Sequence, residues 1–118
     1  MIRLGDIAHA RSGDKGSSAN VGVIAYTPEG FAFLRSSLTE ARVAEHFKPL
    51  GPTEVKRFEL PKLEALNFVL TGILAGGGSR SLRVDAQGKA LGQAILEMRL
   101  PIVEEPNPAW FPDPETIP

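Results

Sequence analysis

The sequence predicts a single α+β domain in which helices pack on one face of a mainly antiparallel sheet. A chain of 118 residues, 42% hydrophobic and 23% charged, has the size and composition of one soluble domain. The chain begins with two strand-like segments in the order of a hairpin. Helix and strand signals then follow in mixed order without an internal repeat, which favours the α+β class.

The first two strands are predicted from their side-chain patterns. Residues 2–10 alternate in the manner of a strand, and residues 19–26 are rich in β-branched side chains, as in a buried central strand. Residues 11–18 are polar, contain two glycines and are predicted to form a loop. Such a loop would exceed the roughly 2–5 residues that most hairpins use.

Two helices are predicted next. Thr27 and Pro28 are a capping hydroxyl and a first-turn proline, which together mark a helix start. Ser37 and Glu40 fit a capping box, which predicts a second helix, or a kinked continuation of the first, as far as Phe47. The apolar residues at helical spacing in the first helix are Phe31, Leu34 and Leu38.

The second half of the chain is predicted to hold a strand at residues 53–60 and a helix from Pro61 that ends at the glycines 76–78. A short strand follows at residues 81–84. Residues 89–98 suit either a helix or a strand, and a helix followed by a short strand is the preferred interpretation. The apolar stripe of the helix from Pro61 consists of Leu63, Leu66, Leu70, Ile73 and Leu74.

The last 18 residues contain six of the ten prolines and are predicted to be extended. This end also holds the adjacent aromatic residues Trp110 and Phe111, which are unusual in a disordered tail. Docking of the pair on the body or on a partner is therefore favoured. We divide the chain into a domain at residues 1–103 and a proline-rich acidic tail at residues 104–118.

Composition excludes several classes of function. Cysteine is absent, which rules out disulfides, zinc-thiolate sites and a cysteine nucleophile. The first residues lack the pattern of a signal peptide, and no apolar run could cross a bilayer, so we expect a cytoplasmic protein without a membrane partner. No metal-ligand spacing and no cofactor motif stands out, and His46 at a helix end is predicted to be structural.

The charge distribution favours a small anionic ligand over a nucleic acid. The formal net charge is −1, but all of the acidic excess lies in the tail, which leaves a mildly basic body. A single tyrosine gives no series of aromatic residues on which bases could stack.

The first candidate site is the polar segment at residues 11–18. Its glycines permit close backbone approach to an anion, its basic side chains supply charge, and Asp14 is either a base or their polar partner. The alternative is an ordinary surface hairpin in which Asp14 and Lys15 keep the turn soluble. The anion-binding candidates here are Arg11, Gly13, Lys15, Gly16 and Asn20.

The second candidate site follows the predicted helix end at the glycines 76–78. Small and basic residues after three glycines could cradle a phosphate, although no Lys-Ser or Lys-Thr pair follows as in a Walker loop. A flexible connection from helix to strand is the alternative. The candidates are Gly77, Gly78, Ser79 and Arg80. We expect the two glycine-containing segments to meet in space.

Two blocks of the sequence resemble a known family. Residues 5–25, which include the string RSGDKG at residues 11–16, resemble the start of the C-terminal domain of acyclic terpene utilisation (AtuA-type) proteins. Residues 66–70, the glycines 76–78 and residues 81–89 resemble a later part of the same domain. The blocks occur in the family's order, and RSGDKG is the most specific part of the match.

The resemblance implies a ferredoxin-like α+β fold and a role in the catabolism of branched terpenoid or fatty acyl-CoA compounds. In this family the domain usually follows a much larger domain in one polypeptide. We therefore expect a small subunit that is not catalytic alone and that works with a separately encoded large-domain partner. The resemblance carries over motif positions and no catalytic roles.

Three functional hypotheses follow. In the leading one, the subunit binds an acyl-CoA or another small anionic ligand through Arg11, Lys15 and Arg80. In the second, the chain is a homo-oligomeric binding or assembly module, because short ferredoxin-like sheets leave edge strands that need covering. In the third and weakest, it is a small hydratase or isomerase that uses Asp14 and Lys15 as acid and base.

Overall fold

The computed structural model describes residues 1–15, 18–72, 91–102 and 105–112. These residues form an antiparallel four-stranded sheet in the order β2-β3-β5-β4, together with a separate antiparallel pair of β1 and β6. The strands are β1 (Ile2–Arg3), β2 (Ala8–Lys15), β3 (Ser18–Ala25), β4 (Glu54–Leu60), β5 (Ala65–Thr71) and β6 (Arg99–Leu100).

The described helices are α1 (Pro28–Ser37), α2 (Glu40–His46) and α3, which is helical over residues 91–96. All three contribute to one apolar core with the central strands β3 and β5. The predicted α+β class, with helices on one sheet face, is confirmed. Fully buried side chains at the centre of the core are Val21, Leu34, Val43, Phe68 and Ile95.

The predicted helix start at Thr27 is confirmed, because its hydroxyl accepts a hydrogen bond from the Gly30 amide at 2.9 Å and Pro28 opens the helix. The second helix also exists, but the capping box at Ser37 was wrong. Thr39 caps α2 by accepting from the Arg42 amide at 3.2 Å. The chain leaves helical geometry at Leu38, so a cap placed at Ser37 would fall inside α1.

The first strand is interrupted where an unbroken one was predicted. Ile2 and Arg3 pair with β6, whereas β2 begins at Ala8 and pairs with β3. The 3₁₀ turn Leu4–Asp6 lies between the two strands and redirects the chain from one sheet to the other. Alternation of side chains along residues 2–10 could not reveal this change of partner.

The prediction of a polar loop at residues 11–18 was also wrong for most of that segment. β2 continues to Lys15, β3 starts at Ser18, and the register runs from Ala8↔Ala25 to Lys15↔Ser18. Polar residues fit a strand here because one sheet face is not covered by the described helices. The backbone amides and carbonyls that a loop would leave to solvent are paired across the ladder instead.

The helix predicted from Pro61 is a 3₁₀ turn, Pro61–Leu63, followed by strand β5. Glu64 has a φ of 52°, a left-handed conformation that prevents a right-handed helix from continuing. β5 pairs with β3 on one side and with β4 on the other, so tertiary hydrogen bonding decided the outcome. Leu66 and Leu70, four residues apart, suit either structure, and the buried Phe68 between them marks the strand.

The preferred interpretation of the later segment is confirmed over its described part, where helical residues 91–96 precede the short strand Arg99–Leu100. His46 is structural as predicted, because its Nε2 lies 2.7 Å from the Ala94 carbonyl oxygen and joins α2 to α3. The predicted strand at residues 81–84 and the glycines 76–78 lie outside the described residues.

The described part of the tail packs on the body, as expected for Trp110 and Phe111. The Trp110 ring stacks on Phe33 of α1 with centroids 4.0 Å apart, and Phe111 packs against the core. The tail is not wholly extended, because Pro108–Trp110 forms a 3₁₀ turn capped by the Asn107 side chain. The amide of the first residue in a helical turn has no partner within the turn, so proline at that position removes no hydrogen bond. Pro108 can therefore open the turn.

Candidate functional site

The four-stranded sheet has two unlike faces. Along β3 the odd-numbered residues Ala19, Val21, Val23 and Ala25 are buried under the helices. The even-numbered residues point to the other face, where no helix packs among the residues that the structure describes. We call this second surface the open face.

The strand register arranges the open face in three rows across the sheet. Small or polar residues prevail in the first row, and the third row is largely apolar. The rows are Gly13, Asn20, Val69 and Lys56; then Arg11, Gly22, Asn67 and Phe58; then His9, Ile24, Ala65 and Leu60.

A groove of about 450 Å³ lies along this face. Two glycines keep it open. A Cβ on Gly22 would stand 3.8 Å from both the Arg11 carbonyl and Asn67 Oδ1, and a Cβ on Gly13 would stand 3.0 Å from Asn20 Oδ1. The groove is lined by His9, Arg11, Ser12, Gly13, Asn20, Gly22, Ile24, Leu60, Leu63, Ala65 and Asn67.

One end of the groove is polar and carries a positive charge. Asn20 Nδ2 donates to Asn67 Oδ1 at 3.4 Å, which leaves Asn20 Oδ1 as an acceptor and the Asn67 amide group as a donor. Arg11 is exposed and makes no ion pair with any described carboxylate. A guanidinium without a protein partner can bind a carboxylate or phosphate through two parallel hydrogen bonds.

The other end of the groove is apolar. Ile24 and Ala65 form its floor, and Leu60 and Leu63 stand at its edge with exposed fractions of 41% and 65%. Phe58, beside them on β4, is 50% exposed. Large apolar side chains grouped on one surface are typical of a binding surface, whereas single ones are ordinary.

Three of the predicted site residues lie together in this groove, namely Arg11, Gly13 and Asn20. Asp14 and Lys15 belong to β2, opposite Ala19 and Ser18, but their side chains lie outside the described part. Gly16, Gly77, Gly78, Ser79 and Arg80 also lie outside it. The expected meeting of the two glycine-containing segments therefore stays a prediction.

Sequence reasoning did not select His9 or Asn67 as a ligand-binding candidate, although His9 lies just before the polar segment of the first candidate site. His9 lies on the same face as Arg11, and its ring centroid is 5.3 Å from that of Tyr26. Extending the first strand to Lys15 would have placed His9, Arg11 and Gly13 on one face by period-two spacing. Asn67 was not recognised as a groove residue because residues 65–71, which form β5, were predicted to be helical.

Among the described residues, no helix is long and apolar enough to cross a membrane. In the same part of the chain, no three histidine or acidic side chains gather as a metal ion would require.

An antiparallel sheet with helices on one face and a groove on the other defines a small α+β domain of the ferredoxin-like kind. The chain belongs to the AtuA ferredoxin-like domain family, whose model matches residues 2–101. This match confirms the family resemblance that the two sequence blocks indicated. No curated protein and no solved structure matches the chain.

Proposed function

We propose that this chain is the ligand-binding accessory subunit of an AtuA-like system and that it holds an acyl compound with an anionic end in the groove of the open face. The observation that carries the proposal is the position of Arg11, which pairs with no described carboxylate, at the polar end of a groove that contains two glycines and is apolar at its other end. A larger partner of the same system carries out the reaction on branched or terpenoid acyl-CoA compounds.

The chemistry of the groove matches an amphipathic acid. The Arg11 guanidinium pairs with a carboxylate, and the Asn67 amide group donates a further hydrogen bond. An apolar chain then lies over Gly22 and Ile24 toward Leu60, where each Å² removed from water contributes about 25 cal/mol.

The size of the groove limits what it can hold. Five residues of β2, from His9 to Gly13, span about 13 Å at roughly 3.3 Å per residue. The volume of about 450 Å³ suits the acyl part of such a ligand. A coenzyme A nucleotide would extend beyond the groove toward solvent or toward the partner.

Replacing Gly22 with valine tests the groove itself. Because a Cβ at Gly22 meets its neighbours only at ordinary contact distance, Gly22→Val fits the strand and fills the groove. We expect this variant to keep its melting temperature and to lose at least about tenfold in affinity for a branched medium-chain carboxylate, measured by calorimetry. Arg11→Gln is expected to weaken the same binding by about tenfold, since it removes the charged donor.

Lys56→Gln is the matched control for Arg11→Gln. Lys56 is a cation on the same face, but it does not line the groove and lies 3.9 Å from Glu54. Its replacement should leave binding unchanged. If the wild-type chain binds no such carboxylate, or if Gly22→Val binds it as well as the wild type does, the ligand proposal is wrong.

Co-expression with the large AtuA-like protein of the same genome tests the partner. We expect one complex on size exclusion, containing both chains. The competing function is a homo-oligomeric assembly module, favoured by the exposed Phe58, Leu60 and Leu63. A homodimer that excludes the large protein and dissociates in Leu63→Glu would support that alternative and overturn the partner proposal.

A further inference from the structure

A second cleft, of about 380 Å³, lies between helix α2 and the segment that leads into β6. None of its residues belongs to the open-face groove. Its lining combines three charged residues and one histidine with two apolar residues, Ala41 and the buried Met98. The lining residues are Ala41, Arg42, Glu45, His46, Met98 and Arg99.

The two arginines of this cleft differ from the arginines that serve the fold. Arg3, Arg35 and Arg57 each lie within 4.0 Å of a carboxylate oxygen. The exposed side chains of Arg42 and Arg99 make no ion pair or hydrogen bond within the described part of the chain. Among the described residues, the two guanidinium groups at this cleft therefore have no ion-pair partner.

The position of Arg99 breaks a local rule of sheet pairing. It lies directly opposite Arg3 in the β1–β6 pair, and like charges in that position destabilise a sheet. Asp6 and Glu97 neutralise Arg3, at 3.7 and 2.7 Å, whereas no described carboxylate neutralises Arg99. An unfavourable charge with no partner in the described part of the chain points to a ligand that supplies the missing negative charge.

His46 and Glu45 complete the polar lining. The carbonyl of Ala94 only accepts, so His46 Nε2–H donates to it at 2.7 Å, which fixes the ring and leaves Nδ1 available. Glu45 is the one acidic residue among the described residues of the lining. With two guanidinium groups against one carboxylate, the cleft has a net positive charge that suits a multiply charged anion.

We propose that this cleft binds the phosphate group of a small molecule, with Arg42 and Arg99 as the charged donors. Guanidinium groups from a helix and a strand can approach a phosphate from two sides, and each can donate two parallel hydrogen bonds. The site is separate from the acyl groove and does not depend on the function proposed for Arg11.

The test is a titration of the full chain with inorganic phosphate, pyrophosphate, ADP and adenosine, followed by NMR of the backbone amides and the arginine side chains. We expect the three phosphate-bearing probes to shift the signals of Arg42, His46 and Arg99, and adenosine to shift none of them. Tighter binding of ADP than of pyrophosphate would identify a nucleotide phosphate, and equal binding would identify a free one. Arg42→Gln and Arg99→Gln should each weaken binding by about tenfold.

Arg35→Gln is the control, because Arg35 is paired with Glu59 at 3.1 Å and lines neither the cleft nor the open-face groove. This variant should bind phosphate at the cleft as the wild type does. The proposal is overturned if phosphate shifts no signal at the cleft, or if Arg42→Gln and Arg99→Gln leave the affinity unchanged.

Discussion

Replacing Arg57 with methionine should lower the free energy of unfolding by about 2–3 kcal/mol, because a half-buried charged donor that joins two elements is lost. Arg57 Nη1 donates to the carbonyls of Arg35 and Leu38, at 2.9 Å each, where α1 ends. Those carbonyls have no partner within the helix. The guanidinium therefore caps α1 from strand β4.

Thermal unfolding followed by circular dichroism measures this effect. A loss of about 2–3 kcal/mol in a domain of this size should lower the melting temperature by roughly 8–12 °C. The melting temperature of Arg57→Lys should lie between those of the wild type and Arg57→Met, because lysine keeps the charge but lacks the planar guanidinium.

Arg35→Met is the matched control for the ion pair alone. Arg35 and Arg57 both contact the Glu59 carboxylate, at 3.1 and 3.3 Å, but only Arg57 caps the helix. The Arg35 side chain is 54% exposed, and exposed pairs contribute only about 0–1 kcal/mol. Equal destabilisation by Arg35→Met and Arg57→Met would show that the capping bonds contribute nothing.

Truncation after Val103 should lower the free energy of unfolding by about 2 kcal/mol and the melting temperature by roughly 8 °C. The deletion removes the stack of Trp110 on Phe33, at 4.0 Å, and the hydrogen bond from Thr27 Oγ1 to the Ala109 carbonyl, at 2.6 Å. Gly30 accommodates the tail closely, since a Cβ there would lie 3.2 Å from the Trp110 carbonyl oxygen.

Truncation after Pro112 is the control, because it keeps Trp110, Phe111 and their contacts and should leave the melting temperature unchanged. Trp110→Ala should reproduce most of the effect of the longer deletion. Trp110 is the only tryptophan, so the tryptophan fluorescence reports on this residue alone. Because its ring stacks on Phe33, its emission should be blue-shifted in the native chain. Unchanged stability after the longer truncation, with emission typical of water-exposed tryptophan, would contradict the anchored tail.

The sequence by itself predicted the features that depend on neighbouring residues. Thr27 and Pro28 marked the start of α1, because a capping hydroxyl and a first-turn proline act within one helical turn. The β-branched run of β3 indicated a central strand, and adjacent aromatic residues indicated a docked tail. The string RSGDKG indicated the family, which the match over residues 2–101 confirms.

Part of the candidate site was also predictable from sequence. Arg11, Gly13 and Asn20 were chosen as anion-binding candidates because glycines and a cation lie near one another in the chain, and all three line the groove. The residue types indicated an anion-binding function, but the sequence did not show that these residues line a groove on the open face.

Only the tertiary structure decided which segments pair and which sheet face stays open. Residues 65–71 carry apolar side chains at a spacing that suits both a helix and a strand, and pairing with β3 and β4 on both sides selected the strand. That choice placed Asn67 beside Asn20, 47 residues away in the chain. Local sequence patterns do not specify which distant strands pair. The groove depends on that pairing, so it could not be predicted from the sequence alone.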